Sequence, residues 1–322
     1  MATQRLAEGS ILITGGSGFI GSTLARYLLD HELSSDIVLA DIARSPRVDG
    51  LADRVEFVEA DLAEASRCED LVGPDVGTVY HLASLVSGGA ERDFVAGYKA
   101  NLHATLNLLE ACRKQGTDPR FVFTSSIATF GGSDLPDVID DWTFQHPQNS
   151  YGVAKVIGEQ LLNDYSRKGF LDGRGVRLPA IVVRDVANTA ASGYASALVR
   201  EPVAGDDYVC PVPPGTRLPI LSIERCVELL VALAQLPAEG FGDYRTINGP
   251  GISPSAEEIA ETVREYSREG YGSIAFDVDP EIEEIVQAWP KVMKAERAES
   301  LGLQGDPSID SIVTSYIEKV EK

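Results

Sequence analysis

Short apolar runs alternate with apolar residues at four-residue spacing along the first half of the chain. Ile11-Leu12-Ile13 reads as a buried strand. The turn Thr14-Gly15-Gly16-Ser17-Gly18-Phe19-Ile20-Gly21 follows it, and Ile20, Leu24 and Leu28 then recur every fourth residue, with Ala25 and Leu29 beside them. A second strand is expected over Asp36–Ala40, ending at Asp41. Arg44–Gly50 is polar and reads as a loop, and Val55–Ala60 alternates like a third strand before Asp61-Leu62. A short helix is predicted over Glu64–Leu71, a strand over Thr78–Ala83, a long helical region over Glu91–Gln115, and a strand over Arg120–Ser125. Strands and helices alternating at this spacing predict right-handed βαβ units around a parallel sheet.

The second half is less regular. Gly131–Ser150 has no period and is rich in Gly, Asp and Pro, so it is expected to be a long loop, either functional or mobile. Tyr151–Arg167 is helical, with Ile157, Leu161 and Tyr165 on one face, and Gly175–Val183 reads as one buried sixth strand. Ile223–Leu236, Ser255–Arg268 and Ser308–Val320 are predicted helices, and Ser273–Val278 a predicted strand. The expected architecture is α/β: a doubly wound parallel sheet with a smaller C-terminal lobe that binds substrate. The division expected is 1–175, with return segments about 216–248, for the sheet, and 176–215 with 249–322 for the lobe.

The glycine turn carries the first chemistry. Gly15 permits a tight turn, Gly18 a close backbone approach to a pyrophosphate, and Gly21 close packing of helix and strand. The amides and dipole at the helix start, from Phe19 and Ile20 onward, then favour a phosphate. Asp41 lies twenty positions after Gly21, where a carboxylate can bind ribose hydroxyls and repel a 2′-phosphate. The cofactor expected is therefore NAD rather than NADP.

Composition narrows the partners. The 322 residues hold 28 Lys and Arg against 49 Asp and Glu, a net charge of −21, which disfavours nucleic acid and anionic membranes. No apolar run approaches the length of a membrane span, and the start of the chain does not read as a signal peptide. Cys68, Cys112, Cys210 and Cys226 form no Cys-x-x-Cys pair and read as reduced structural thiols of a cytoplasmic protein. The four histidines are scattered, and no spacing suggests a metal site.

Ser150-Tyr151-Gly-Val-Ala-Lys155 puts a phenol and an ammonium on one helix face. An adjacent ammonium favours phenolate, so Tyr151 can act as a general base toward an alcohol. Ser126 ends a strand at the carboxyl edge of the sheet, where ligands sit, and can orient the reacting oxygen. A turn or cap role is its plainer alternative. Asn101 falls inside a predicted helix, where Asn has poor propensity. It supports either a backbone kink and a water chain to Lys155, or only a satisfied buried amide.

Gly15-x-x-Gly18-x-x-Gly21, His81-Leu-Ala-Ser84, Asn101, Thr124-Ser-Ser126 and Tyr151-x-x-x-Lys155 together resemble the extended short-chain dehydrogenase/reductase family. The resemblance spans essentially the whole chain and implies a Rossmann fold with NAD. It implies that Asp61 and Leu62 contact adenine, and that Leu82, Ala83 and Ser84 line the nicotinamide-side ribose. It implies that Lys155 also holds that ribose, that Pro179 meets the nicotinamide, and that a homodimer forms through helices near 98–113 and 151–167. Three further stretches, Leu85–Phe94, Leu161–Asp172 and Arg200–Pro213, resemble the members of this family that oxidise the 2-hydroxyl of sugar acids. After Arg184 those members usually continue Pro-Gly-Lys-Pro-Asn, whereas this chain has Asp185-Val186-Ala187-Asn188.

The expected reaction is hydride transfer from C2 of a small anionic sugar acid to NAD. Ser84, Ser87, Ser126, Tyr151, Arg184, Asn188 and Arg217 are expected around the substrate. Arg184 is the first candidate for its carboxylate and Arg217 the second. A plainer reading pairs Arg184 with Asp185 or another acid. A nucleotide-sugar epimerase or dehydratase using the same hydride step is the alternative, with Arg184, Arg200 and Arg217 available for a diphosphate. A non-catalytic NAD-sensing protein is the second, weakened by the presence of Ser126, Tyr151 and Lys155 together.

Overall fold

A computed structural model describes residues 6–51, 53–186 and 192–321. From the amino end, β1 (Ser10–Thr14) enters the glycine turn and α1 (Phe19–Asp30) leaves it. Then come β2 (Ile37–Asp41), α2 (Pro46–Asp49), β3 (Glu56–Glu59), α3 (Ala65–Leu71) and β4 (Val76–His81). Two short helices follow, α4 (Ser87–Arg92) and α5 (Phe94–Tyr98), then a π-helical turn (Lys99–His103), α6 (Ala104–Gln115) and β5 (Arg120–Ser126). The chain continues through β6 (Val138–Ile139), α7 (Ser150–Arg167), β7 (Asp172–Leu178), β8 (Ala180–Val182), α8 (Gly193–Ala204) and β9 (Tyr208–Cys210). It ends with β10 (Ile220–Ser222), α9 (Ile223–Gln235), β11 (Thr246–Asn248), α10 (Ala256–Glu265), β12 (Ile274–Phe276), α11 (Pro280–Gln287), β13 (Val292–Met293), α12 (Glu296–Ser300) and α13 (Ile309–Val320).

Two compact units divide these elements. One comprises the described residues to Thr129 with Asn149–Arg177 and Val227–Ile247; the other comprises Phe130–Gln148, Leu178–Cys226 and the described residues from Asn248. The first is built on a seven-stranded sheet in the order β11-β7-β5-β4-β1-β2-β3, with β1–β2, β1–β4, β2–β3 and β4–β5 paired in parallel. Thr14 is in register with Ala40 and with His81, and His81 with Phe123, so the carboxyl ends of β1, β2, β4 and β5 share one edge. The order reverses between β1 and β4, the place in a doubly wound sheet where ligands enter. Beneath that edge Leu12, Val79, Phe121 and Phe123 are buried with Leu108 and Cys112 of α6 and Cys68 of α3. All four cysteines are buried and unbridged.

In the second unit β8 pairs with β10, β9 with β12 and β6 with β13, each pair parallel. Asp306 accepts from the Ser222 amide and hydroxyl, both at 2.7 Å, tying the start of α9 to the carboxyl-terminal segment. Asp141 accepts from the amide of Asn248 at 2.7 Å.

The structure departs from the expected pattern at four places. Gly175–Val183 is not one strand: β7 ends at Leu178 and β8 leaves to pair with β10. Pro179 between them has no N–H to continue a ladder. The helical region over Glu91–Gln115 is broken by Asp93, which caps α5, and by the π turn. Arg44–Gly50 holds the short helix α2, with Pro46 in its first turn. The sheet unit is expected to hold 130–148 and to resume at about 216. Instead Phe130–Gln148 groups with the second unit and the return begins at Val227.

Candidate active site

The glycine turn is a cradle that side chains would fill. Gly15 has φ +70°, and a Cβ there would stand 2.7 Å from the amide nitrogen of Ala83. A Cβ at Gly21 would overlap the Gly15 carbonyl oxygen, so Gly21 lets the first turn of α1 close onto the loop itself. Gly18 is the N-cap and provides no side-chain cap, and the first bond of the helix ladder runs from the Ser22 amide to the Gly18 carbonyl. The amides of residues 19–21 precede that ladder at the positive end of the helix dipole, which suits a pyrophosphate. Asp41 Oδ2 accepts from the Ser17 amide at 3.0 Å and Oδ1 from the Ile42 amide at 2.8 Å. Burial raises the Asp41 pKa, and these two amides offset only part of the rise. Cradle, uncapped helix and carboxylate fit the adenosine diphosphate half of NAD.

Asp61 and Leu62 follow β3 on the same edge. Asp61 Oδ1 is bound by the Ala63 amide, and the Leu62 carbonyl accepts from Asn107 Nδ2, so the pair is held in place from α6.

A chain of hydrogen bonds fixes the loop after β4. Thr105 Oγ1 donates its single proton to the Asn101 carbonyl at 2.7 Å, so it must accept from His81 Nε2–H at 2.9 Å. His81 Nδ1 is then an acceptor, and Thr14 Oγ1 donates to it at 2.8 Å while accepting from the Ala83 amide. Burial, and secondarily the charge of Lys155, push the His81 pKa down to about 3, so the ring is neutral. Asn101 completes the circuit: its Oδ1 accepts from Ser84 Oγ at 3.0 Å and from the Leu85 amide at 2.7 Å, and its Nδ2 donates to the Leu85 carbonyl at 2.9 Å. Asn101 is thus a buried amide on a π turn that grips residues 84 and 85. The helix break expected of one role and the bonded buried amide of the other are both present. Ser87 opens α4, and Glu91 of that helix accepts from the Ser150 amide next to Tyr151.

Tyr151 and Lys155 lie on α7, which packs on β5. Asn149 caps this helix through the Gly152 amide. Lys155 is 2% exposed, and its Nζ donates to the Thr124 carbonyl at 2.8 Å and sits 5.0 Å from the Phe123 ring centre and 5.5 Å from that of Tyr151. Burial lowers the Lys155 pKa to about 8 and Glu159 opposes the shift. Ser126 ends β5 half-buried, with its Oγ accepting from the Ala128 amide at 3.1 Å. The turn role is therefore real, and the hydroxyl still has its own proton to donate.

The second unit holds the remaining expected residues. Pro179 is buried between β7 and β8. Arg184 follows β8; its amide donates to Ser196 Oγ and its carbonyl accepts from Arg200 Nη1. Arg217 is already engaged: both terminal nitrogens bind Glu258, at 3.0 and 3.1 Å, and Nη1 also meets the Ser253 carbonyl. Arg200 is likewise paired with Glu201. Asn188 lies outside the described residues. Among the described residues no group of three His, Cys, Asp or Glu side chains is placed to hold a metal ion, and no helix is long and apolar enough to cross a membrane.

Sequence reasoning missed Glu159 and its partners. The carboxylate is buried on the Tyr151–Lys155 face of α7, bound by Arg177, Tyr244 and Ser125. A charged residue four positions past Lys155, in a stripe that otherwise faces the core, was the available signal. Thr14 and Thr105 were missed as well, because only the fold brings them to His81.

Residues 11–242 match the NAD dependent epimerase/dehydratase family. A D-erythronate dehydrogenase of Cupriavidus necator is 44% identical, over 96% of this chain and 98% of that protein. One of Haemophilus influenzae is 38% identical over the same shares. A solved structure described as a nucleoside-diphosphate-sugar epimerase from Agrobacterium tumefaciens superposes with a TM-score of 0.89 at 35% identity, covering 99% of this chain and 96% of that one. Its glycine cradle, its doubly wound sheet and these relatives together assign the chain to the NAD dependent epimerase/dehydratase family, as an NAD-dependent oxidoreductase acting on a CH–OH group.

Proposed function

We propose that the chain oxidises the 2-hydroxyl of a small sugar acid, D-erythronate or a close analogue, to the 2-keto acid. The substrate rests on similarity to two D-erythronate dehydrogenases over nearly their whole length. The observation that carries the chemistry is Lys155: an ammonium buried against the Thr124 carbonyl and 5.5 Å from the Tyr151 ring favours the phenolate of that tyrosine. Tyr151 takes the proton of the C2 hydroxyl, Ser126 donates to the same oxygen to hold it in line, and Lys155 holds the ribose. Bound NAD supplies the redox chemistry as hydride acceptor. It is held by Gly15, Gly18, Phe19, Ile20 and Gly21 at its phosphates, Asp41 at the adenosine ribose, Asp61 and Leu62 at adenine, and Leu82 to Ser84 with Pro179 toward the nicotinamide. Ser84, Ser87 and Asn188 are assigned to substrate hydroxyls and Arg184 to the carboxylate. Arg217, whose guanidinium meets Glu258, is the second candidate.

The same reading takes the chain to be a homodimer through α6 and α7, where Leu106 and Ile157 are 37% and 36% exposed. It also takes the chain to be cytoplasmic, in keeping with four unbridged thiols.

The test is NADH absorbance with D-erythronate and a panel of four-carbon and larger sugar acids. NADH formed in bulk from at least one acid is expected; none from any of them overturns the reading. A second reading, a nucleotide-sugar epimerase that returns the hydride, is favoured by the Agrobacterium neighbour. It predicts conversion of a nucleotide sugar with no net NADH.

A further inference from the structure

Glu159 sits one helical turn beyond Lys155, and two beyond Tyr151, on the same face of α7. It is fully buried. Its carboxylate accepts from Arg177 Nε at 3.1 Å, from Arg177 Nη2 at 2.8 Å, from the Tyr244 hydroxyl at 3.0 Å, and from Ser125 Oγ. Arg177 is itself 1% exposed and lies 5.7 Å over the Tyr244 ring. As a stability device this arrangement is poor, since a buried ion pair is often replaceable by apolar side chains without loss. Its place in the fold suggests a use. Ser125 lies between Thr124, whose carbonyl holds Lys155, and Ser126. Two successive turns of α7 are thus fastened to two successive residues of β5.

We propose that Glu159 is a positioning residue for the Tyr151–Lys155 pair: its charge keeps Lys155 an ammonium, and its bond to Ser125 sets the end of β5 against α7. The inference rests on the proton-transfer role given to that pair above. Several groups face Lys155. His81 of β4 is neutral, β5 presents the Thr124 carbonyl and the Phe123 ring, and α7 presents Tyr151 and Glu159. Arg177 of β7 stands behind Glu159 as its partner. Desolvation works against the ammonium, and Glu159 is the charge that works for it.

The experiment follows Lys155 directly. The full chain is labelled with 13C at lysine Cε, and the Lys155 signal is assigned by its loss in Lys155→Arg. The signal is then titrated by NMR with and without NADH. In Glu159→Gln the midpoint is expected to fall by roughly one pH unit, the scale of one partly offset charge a helical turn away. Glu159→Asp should restore it. Ser125→Ala should leave it in place while lowering kcat, because only the tether is lost. The alkaline limb of the kcat profile should move with the midpoint. Glu159→Gln strands Arg177, so the double variant Glu159→Gln/Arg177→Met is measured beside it, with a fall again expected. An unmoved midpoint in a folded Glu159→Gln or double variant overturns the proposal, whatever happens to the rate. A moved midpoint in an enzyme silent toward every sugar acid overturns the substrate reading and leaves the coupling standing.

Discussion

Asp41 does two jobs with one carboxylate. Under the function proposed above it meets the adenosine ribose, and it holds the glycine loop through the Ser17 amide. Asp41→Ala is expected to weaken NAD binding by about tenfold, roughly 1.4 kcal/mol, and to admit NADP; a wild type preferring NADP would refute the assignment. Tyr151→Phe should cut kcat by about a hundredfold or more while the NADH dissociation constant measured by fluorescence stays within about twofold, since only the proton acceptor is gone. Lys155→Ala should damage both quantities. Arg184→Lys keeps the charge but loses the fork, so KM for the acid should rise by about tenfold with KM for NAD unchanged; equal KM in variant and wild type would move the carboxylate site elsewhere. The roles expected of these residues come from the local motifs that hold them. The engagement of Arg217 was not legible: its partner Glu258 is 41 positions away, and no periodicity announces it. Glu159 had a signal in its own stripe but its partners had none, with Ser125 and Tyr244 reaching it from 34 and 85 positions off.

At the scale of elements, the alternation of strand and helix identified the sheet because buried strands and half-buried helices have different periods. What it missed are breaks imposed by single residues. The π turn adds a residue to the helical circuit and turns Asn101 inward to grip Leu85. Pro179 divides what composition alone presents as one apolar strand. The His81 chain joins β1, β4 and the π turn, and its ring must stay neutral. The folded pKa of about 3 lies below the ordinary value of 6.5, so the unfolded chain takes up the proton first as pH falls. His81 should therefore remove about 1.5 kcal/mol of stability between pH 6.5 and 5. Urea midpoints across that range should fall less steeply in His81→Gln; equal slopes would mean the ring is not held neutral.

For the whole molecule, the proposed dimer predicts that Leu106→Glu with Ile157→Glu yields monomers in sedimentation equilibrium while the far-ultraviolet spectrum is kept. A wild type that sediments as a monomer removes that reading. The net charge of −21 leaves an acid substrate dependent on local cations, so its KM should rise with ionic strength more than that for a neutral polyol.

The division into two units has a further consequence, in time rather than space. The backbone passes from one unit to the other between Thr129 and Phe130, and four more times before it ends. Neither unit is a continuous stretch of gene. The outer strand of the sheet, β11, is made about seventy residues after its neighbour β7. At ordinary translation rates that interval is roughly four to fourteen seconds. For that long a nascent β7 presents an open backbone edge to its surroundings. Synthesis slowed within residues 179–245 should lower the yield of native protein more than the same delay after residue 248, when the edge is already closed.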